Sequence, residues 1–171
     1  MEARSFFGRR QILRINMSAV LEKIRKYCAY QDRCLKEVDA KLRTLGCDAE
    51  KRCEILQQLV AERFIDEDRY VESFVRGKIN AKGWGLKKIV FALKQKGIED
   101  SKIQRIVAQV DGNLLQQNLQ NLIKKWLKSR KLDYGTKPQL YRYLMGRGYS
   151  SVEIADALKQ MDINSNYDDN F

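Results

Sequence analysis

Apolar residues recur three and four positions apart along most of this chain. Leu86, Ile89, Val90 and Leu93 fall at i, i+3, i+4 and i+7, a spacing that paints one face of a helix apolar. Gly97 follows as the residue able to take a left-handed conformation and end that helix. Ile103, Ile106, Val107 and Val110 then restart the spacing, which predicts a helix, a glycine turn and a second helix. Ile154, Ala157, Leu158 and Met161 repeat it near the end of the chain.

The pattern occurs three times without gaps, at a fixed offset of 51 residues, in segments beginning at Val38, Ile89 and Leu140. Leu42, Leu93 and Leu144 are identical, as are Gly46, Gly97 and Gly148. Cys47, Ile98 and Tyr149 follow the glycine, and Ile55, Ile106 and Ala157 match further on. An amphipathic stretch precedes each pair: Val20, Leu21, Ile24 and Cys28; Val71, Phe74, Val75 and Ile79; Leu122, Ile123, Trp126 and Leu127. The chain therefore reads as an all-α tandem array of three three-helix repeats, with helices near 18–30, 34–45 and 49–63 in the first. Stacked repeats of this kind are elongated and free to curve. The expected divisions are a basic N-terminal segment at 1–17, repeats at 18–65, 66–111 and 112–161, and a polar acidic tail at 162–171.

Composition agrees with helices. Pro138 is the only proline and there are ten glycines, too few for the turn signals of an all-β chain. No apolar run approaches the ~18 residues of a membrane span, and residues 1–16 lack the apolar stretch and cleavage site of a signal peptide, so a cytoplasmic location is expected. Cys28, Cys34, Cys47 and Cys53 could hold zinc, pair as disulfides or fill a core. Five residues separate the members of each pair and the chain has no histidine, which argues against zinc. A reducing compartment argues against disulfides and leaves buried thiols as the favoured reading.

Charge changes the picture more. The formal net charge is +11, with a sequence pI near 9.6, which attracts polyanions or acidic protein faces. No acidic residue occurs from Ser73 to Ile98, a stretch that carries Arg76, Lys78, Lys82, Lys87, Lys88, Lys94 and Lys96. From Gly112 to Val152, Asp133 is the one acid beside Lys124, Lys125, Lys128, Arg130, Lys131, Lys137, Arg142 and Arg147. Soluble surfaces ordinarily intersperse both signs, so these runs point to an anionic or acidic partner. Asp66, Glu67 and Asp68 instead sit before a helix, where they complement its dipole. Trp84, within Lys82-Gly83-Trp84-Gly85, is either a plug over the helix pair or a hot-spot contact. Tyr141 and Tyr143 pose the same choice.

Nothing marks an enzyme. There is no histidine base, no phosphate-binding G-x-x-x-x-G-K-[ST] loop and no dinucleotide fingerprint, and Gly83-Trp84-Gly85 alone is too short to be a phosphate cradle.

The run Phe64-Ile65-Asp66-Glu67-Asp68-Arg69-Tyr70-Val71-Glu72-Ser73-Phe74-Val75-Arg76 resembles the signature of the RecX family of RecA regulators. So do Gly83-Trp84-Gly85-Leu86-Lys87-Lys88-Ile89 and Ala92-Leu93-Lys94-Gln95-Lys96-Gly97-Ile98. Leu86 departs from the family, which often has proline there, and the cysteine-rich first repeat is a second departure. The resemblance implies a cytoplasmic, monomeric bacterial protein of DNA repair and the SOS response, without cofactor or catalytic activity. It implies binding to RecA filaments on single-stranded DNA, along the helical groove and across more than one subunit. That binding lowers strand exchange, ATP hydrolysis and co-protease activity. The partner-binding residues expected from the two basic runs and Trp84 are Arg76, Lys78, Lys82, Trp84, Lys87, Lys88, Lys94 and Lys96, then Lys124, Lys125, Lys128, Arg130, Arg142 and Arg147. Charge reversal at Lys87, Lys88 and Lys94 together is expected to leave folding intact.

A second reading is direct DNA binding through helix-turn-helix-like pairs. Its candidate reading helix offers only Ser101, Lys102, Gln104 and Arg105.

Overall fold

The computed structural model describes residues 17–162, and every regular element in that span is an α-helix. They are α1 (Met17–Tyr30), α2 (Leu35–Thr44), α3 (Ala49–Ala61), α4 (Glu67–Lys82), α5 (Leu86–Gln95), α6 (Asp100–Val107), α7 (Gly112–Leu127), α8 (Lys137–Met145) and α9 (Ser151–Gln160). The basic N-terminal segment, apart from Met17, and the tail, apart from Asp162, lie outside the described residues. No helix among the described residues is long and apolar enough to cross a membrane.

One turn, used three times, shapes these elements. Gly46, Gly97 and Gly148 all have positive φ, at 80°, 80° and 97°. The residue after each, Cys47, Ile98 or Tyr149, donates its backbone N–H to the carbonyl of Leu42, Leu93 or Leu144. This is the bond that caps a helix ending in a left-handed residue. The residue that makes it is buried, and so is the leucine beneath it. The next helix then returns against the one that ended, as α2 packs on α3, α5 on α6 and α8 on α9. Side-chain caps start several helices: Asp48, Asp66, Asp111 and Ser150 each accept from a backbone N–H of the first turn.

Three apolar clusters result. The first gathers Ile24, Val38, Leu42, Ile55 and Leu59; the second Val71, Val75, Ile79, Ile89, Leu93 and Ile103; the third Ile123, Leu140, Leu144, Ile154 and Leu158. Each such side chain stabilises the fold by ~1.5–3 kcal/mol relative to exposure. Cys28 and Cys47 lie in the first cluster, Cys34 in the second, and Cys53 is exposed. Cys34 comes from the start of α2 and Leu115 from α7, so each neighbouring triplet lends one buried side chain to the middle core.

The 51-residue register breaks in one place. α5 and α8 start 51 residues apart, but α4 and α7 start only 45 apart, and the nine-residue connection 128–136 restores the register where 83–85 sufficed before. The inward residues of α7 are therefore Leu115, Leu119, Ile123 and Trp126, with Leu122 and Leu127 only partly buried. Thr136 braces the long connection, donating to the Lys131 carbonyl at 2.8 Å and accepting from the Asp133 N–H at 2.8 Å.

The second and third triplets meet at backbone distance. The Gly85 N–H donates to the Arg147 carbonyl at 2.9 Å, and a Cβ on Gly85 would stand 2.5 Å from the Gly148 carbonyl oxygen. Gly77, inside α4, is the opposite case, with nothing within 4 Å of where its Cβ would be. Gly85→Ala is expected to lower stability by ~2–4 kcal/mol, because the clash is with backbone that cannot rotate away. Gly77→Ala is expected to raise it by ~0.5–1 kcal/mol. Urea-unfolding midpoints of the two variants check both signs.

Candidate partner-binding face

The end of α4 builds the centre of the basic surface. Gly83 adopts φ 60° and ψ 38°, and the Trp84 N–H returns to the Lys78 carbonyl at 3.1 Å. That geometry lays the half-buried indole back along the last turn of α4, against the middle core. Lys78 Nζ stands 5.1 Å from the centre of the Trp84 ring and 5.0 Å from that of Phe74, and Lys88 Nζ stands 4.8 Å from Trp84. Lys96 Nζ lies 5.9 Å from Phe74 and 6.0 Å from Tyr70. The result is a continuous row, Lys96, Phe74, Lys78, Trp84 and Lys88, in which cations alternate with rings. Contacts of this type contribute ~0.5–1 kcal/mol each at exposed sites. Trp84 is thus both a plug and part of the basic surface, but a stacked base would have to displace a lysine.

The row continues into the third triplet. Lys88 Nζ donates to the Gly146 carbonyl at 2.8 Å, Arg147 donates to the Lys82 carbonyl at 2.7 Å, and the Arg147 guanidinium sits 5.1 Å from the Tyr143 ring centre. The cations near the end of α7 form a second group. Arg130 lies 5.0 Å from the Trp126 ring, and Lys124, Lys125 and Lys128 are exposed. No hydrogen bond, ion pair or ring contact among the described residues ties this group to the row.

Several expected site residues are engaged within the chain. Lys94 pairs with Asp100 at 2.9 Å, and Lys96 pairs with Glu37 of the first triplet. With Lys88 also bonded to the Gly146 carbonyl and set over Trp84, the triple charge reversal at Lys87, Lys88 and Lys94 would remove three internal contacts and test folding as well as binding. Lys82, Lys87 and Arg142 are exposed and pair with no acid among the described residues. Arg76, also exposed, is close enough to Asp32 to favour its ionised form. The acidic cluster is internal too: Glu67 pairs with Lys102 and Asp68 with Arg105, both at 2.7 Å, which ties α4 to α6. Those two cations are the ones that a groove-reading helix would have needed.

Phe91 was not visible as a site residue, because it lies off the apolar stripe of α5. It is 64% exposed, with Lys87 four positions before it and Lys94 three after, on the outer side of the helix. Arg142 and Met145 hold the corresponding positions on α8, and Met145 is 54% exposed. An aromatic off the apolar stripe, inside an otherwise cationic run, is the signal the sequence offers.

A groove of about 340 Å³ borders the row. Gln31 and Asp32 line one side, and Ser73, Phe74, Gly77, Lys78, Ala81 and Lys82 of α4 line the other. No group of three or more His, Cys, Asp or Glu side chains among the described residues is placed to hold a metal ion.

These elements have counterparts elsewhere. A family profile described as the second three-helix domain of RecX matches residues 66–105, which span α4, α5 and most of α6. A regulatory protein RecX of Oceanobacillus iheyensis is 33% identical over 144 residues, covering 83% of this chain and 53% of the relative. The crystal structure of RecX from Lactobacillus salivarius superposes with a TM-score of 0.73 at 27% identity, covering 86% of this chain and 97% of that one. The chain belongs to the RecX family. A Clostridium acetobutylicum RecX is 31% identical over 132 residues, covering 74% of this chain and 61% of the relative. A further RecX crystal structure has a TM-score of 0.70 at 26% identity, covering 82% of this chain and 71% of that one. The chain spans 53% and 61% of the lengths of these two curated RecX relatives.

Within this RecX chain, Asp32 is the acid that closes the groove on the side of the first triplet. The Ser73 hydroxyl, at 2.6 Å, holds its carboxyl below the ordinary value of 3.8, and the Arg69 guanidinium at 2.7 Å adds to the effect while burial opposes it. A carboxyl depressed by folding stabilises the fold fully above the unfolded value, near pH 4, and that contribution is lost as pH falls through the lower folded value. Asp32→Asn should therefore be less stable than the parent at pH 7 and lose less further stability on acidification from pH 4 to 2.5. Urea midpoints measured across that range test it.

Proposed function

We propose that this chain is a cytoplasmic, non-enzymatic regulator of RecA-type recombinase, chiefly an inhibitor. It binds the filament on single-stranded DNA along its groove and lowers strand exchange, ATP hydrolysis and co-protease activity. Family membership supports the regulatory class. The observation that carries the mode of action is the row of alternating cations and rings running from Lys96 to Arg147 along consecutive triplets. A polymeric, acidic partner meets such a row at several points, and each contact raises the effective concentration of the next. Inhibition then requires only tighter binding to a filament state that cannot extend or turn over.

The residues proposed to contact filament protein or enclosed DNA are Arg76, Lys78, Lys82, Trp84, Lys87 and Lys88 of the middle triplet, with Arg142 and Arg147 of the third. Lys124, Lys125, Lys128 and Arg130 supply a second patch. Lys94 and Lys96 act through the contacts that hold them. Phe91, between lysines, is suited to a protein pocket, since a phosphate backbone offers an exposed ring nothing to bury against.

Direct DNA binding through helix-turn-helix pairs is the second reading. The pairing of Lys102 and Arg105 with Glu67 and Asp68 weighs against it. Tight, sequence-selective binding to naked duplex would favour it, whereas weak, salt-sensitive binding fits the filament reading.

The decisive measurement is ATP hydrolysis by RecA filaments on single-stranded DNA as this protein is titrated in. The rate should fall; a rate unchanged at saturation would sink the proposal. Lys87→Glu combined with Phe91→Ala should raise the half-inhibitory concentration about tenfold, ~1.4 kcal/mol, without loss of helicity, because both side chains are exposed.

A further inference from the structure

The two junctions between triplets use the same acceptor position, with donor lysines that lie 52 residues apart, one step off the repeat. At the first, Lys36 Nζ donates to the Gln95 carbonyl at 2.8 Å; at the second, Lys88 Nζ donates to the Gly146 carbonyl at 2.8 Å. Gln95 and Gly146 are 51 residues apart, and so are Lys96 and Arg147, each of which reaches back across its own junction. The residue heading the middle helix is Cys34 in one triplet and Gly85 in the next, again 51 apart.

At that position the two junctions part company. Gly85 brings backbone onto backbone: its N–H bonds the Arg147 carbonyl, and a Cβ on Gly148 would lie 2.5 Å from the Lys88 Cβ. α4 also packs along α7 there, and Asn118 donates to the Ile79 carbonyl at 3.2 Å. At the first junction the fully buried Cys34 side chain stands where the glycine would be, and the space around Gly97 is open. No backbone-to-backbone hydrogen bond joins residues 17–62 to residues 66–110. Side chains span the gap instead: Arg69 and Ser73 on Asp32, Lys96 and Tyr70 on Glu37, and Lys36 on the Gln95 carbonyl. The side chains of the Arg69–Asp32 pair are 46% and 25% exposed, within reach of salt. A backbone bond backed by steric contact has no comparable salt dependence.

We propose that the first junction is a hinge latched by ion pairs and the second a fixed joint, so that α1–α3 swing against a rigid body formed by α4–α9. The groove between Asp32 and α4 crosses this hinge, so its width follows the hinge angle. The proposal stands whether or not the partner is a recombinase filament.

Spin labels carried on introduced keto amino acids leave the four cysteines in place and can sit at the exposed positions Gln57, Gln104 and Lys159 of the full chain. Electron–electron resonance then gives the distance distribution from α3 to α6 and from α6 to α9. Raising salt from about 0.05 M to about 1 M, where charges are screened within ~3 Å, should at least double the width of the first distribution and leave the second unchanged. Asp32→Asn with Glu37→Gln should do the same at low salt. If that variant loses helicity, the salt series on the unaltered residues decides alone. A first distribution as narrow as the second and indifferent to salt overturns the hinge; a second that broadens together with the first overturns the fixed joint.

Discussion

The bond from the residue after each repeated glycine to the carbonyl of a buried leucine is the constraint on which the rest of this protein depends. It ends the second helix of each triplet and pins a buried side chain over that end. The third helix then returns against the one that ended. Because the bond recurs at Leu42, Leu93 and Leu144, each triplet presents its neighbour with a turn of the same shape. The second junction, and the cationic row that crosses it, are built against the third of these turns, where Gly148 meets Gly85 and Lys88.

Electrostatics has two separate jobs here. Six acids hold elements together: Glu62 on Arg25, Asp39 on Arg52, Glu67 and Asp68 on α6, and Asp32 and Glu37 on the neighbouring triplet. Other cations, among them Arg76, Lys82, Lys87, Lys124, Lys125 and Arg142, are exposed on α4, α5, α7 and α8.

Much of this was legible in the sequence, because the repeat is written in residue types with strong conformational demands. Leucine at one column and glycine four residues on predict the turn, and the apolar spacing predicts the helices on either side. The position of α7 was not legible. Its leucines at 114, 115, 119 and 122 support more than one register, and only the packing of Leu115 into the middle core settles which face turns inward. The basic region was legible as a region but not residue by residue. Whether Lys88, Lys94 or Lys96 is free depends on the Gly146 carbonyl, Asp100 and Glu37, two of which lie more than fifty positions away. Phe91 escaped because periodicity arguments look for apolar residues that agree with the stripe, and its significance lies in disagreeing with it.

Cys34 and Gly85 occupy one column of a repeated pattern, and the difference between them is a single short side chain. Tandem duplication delivers copies whose mutual contacts are identical at birth, and a rod of identical contacts bends evenly or not at all. Changing the bulk at one docking position localises compliance to a chosen place without disturbing any copy's interior. Mechanical behaviour in such an array can thus drift under selection on its own, independently of fold stability and of the chemistry displayed on the outward faces.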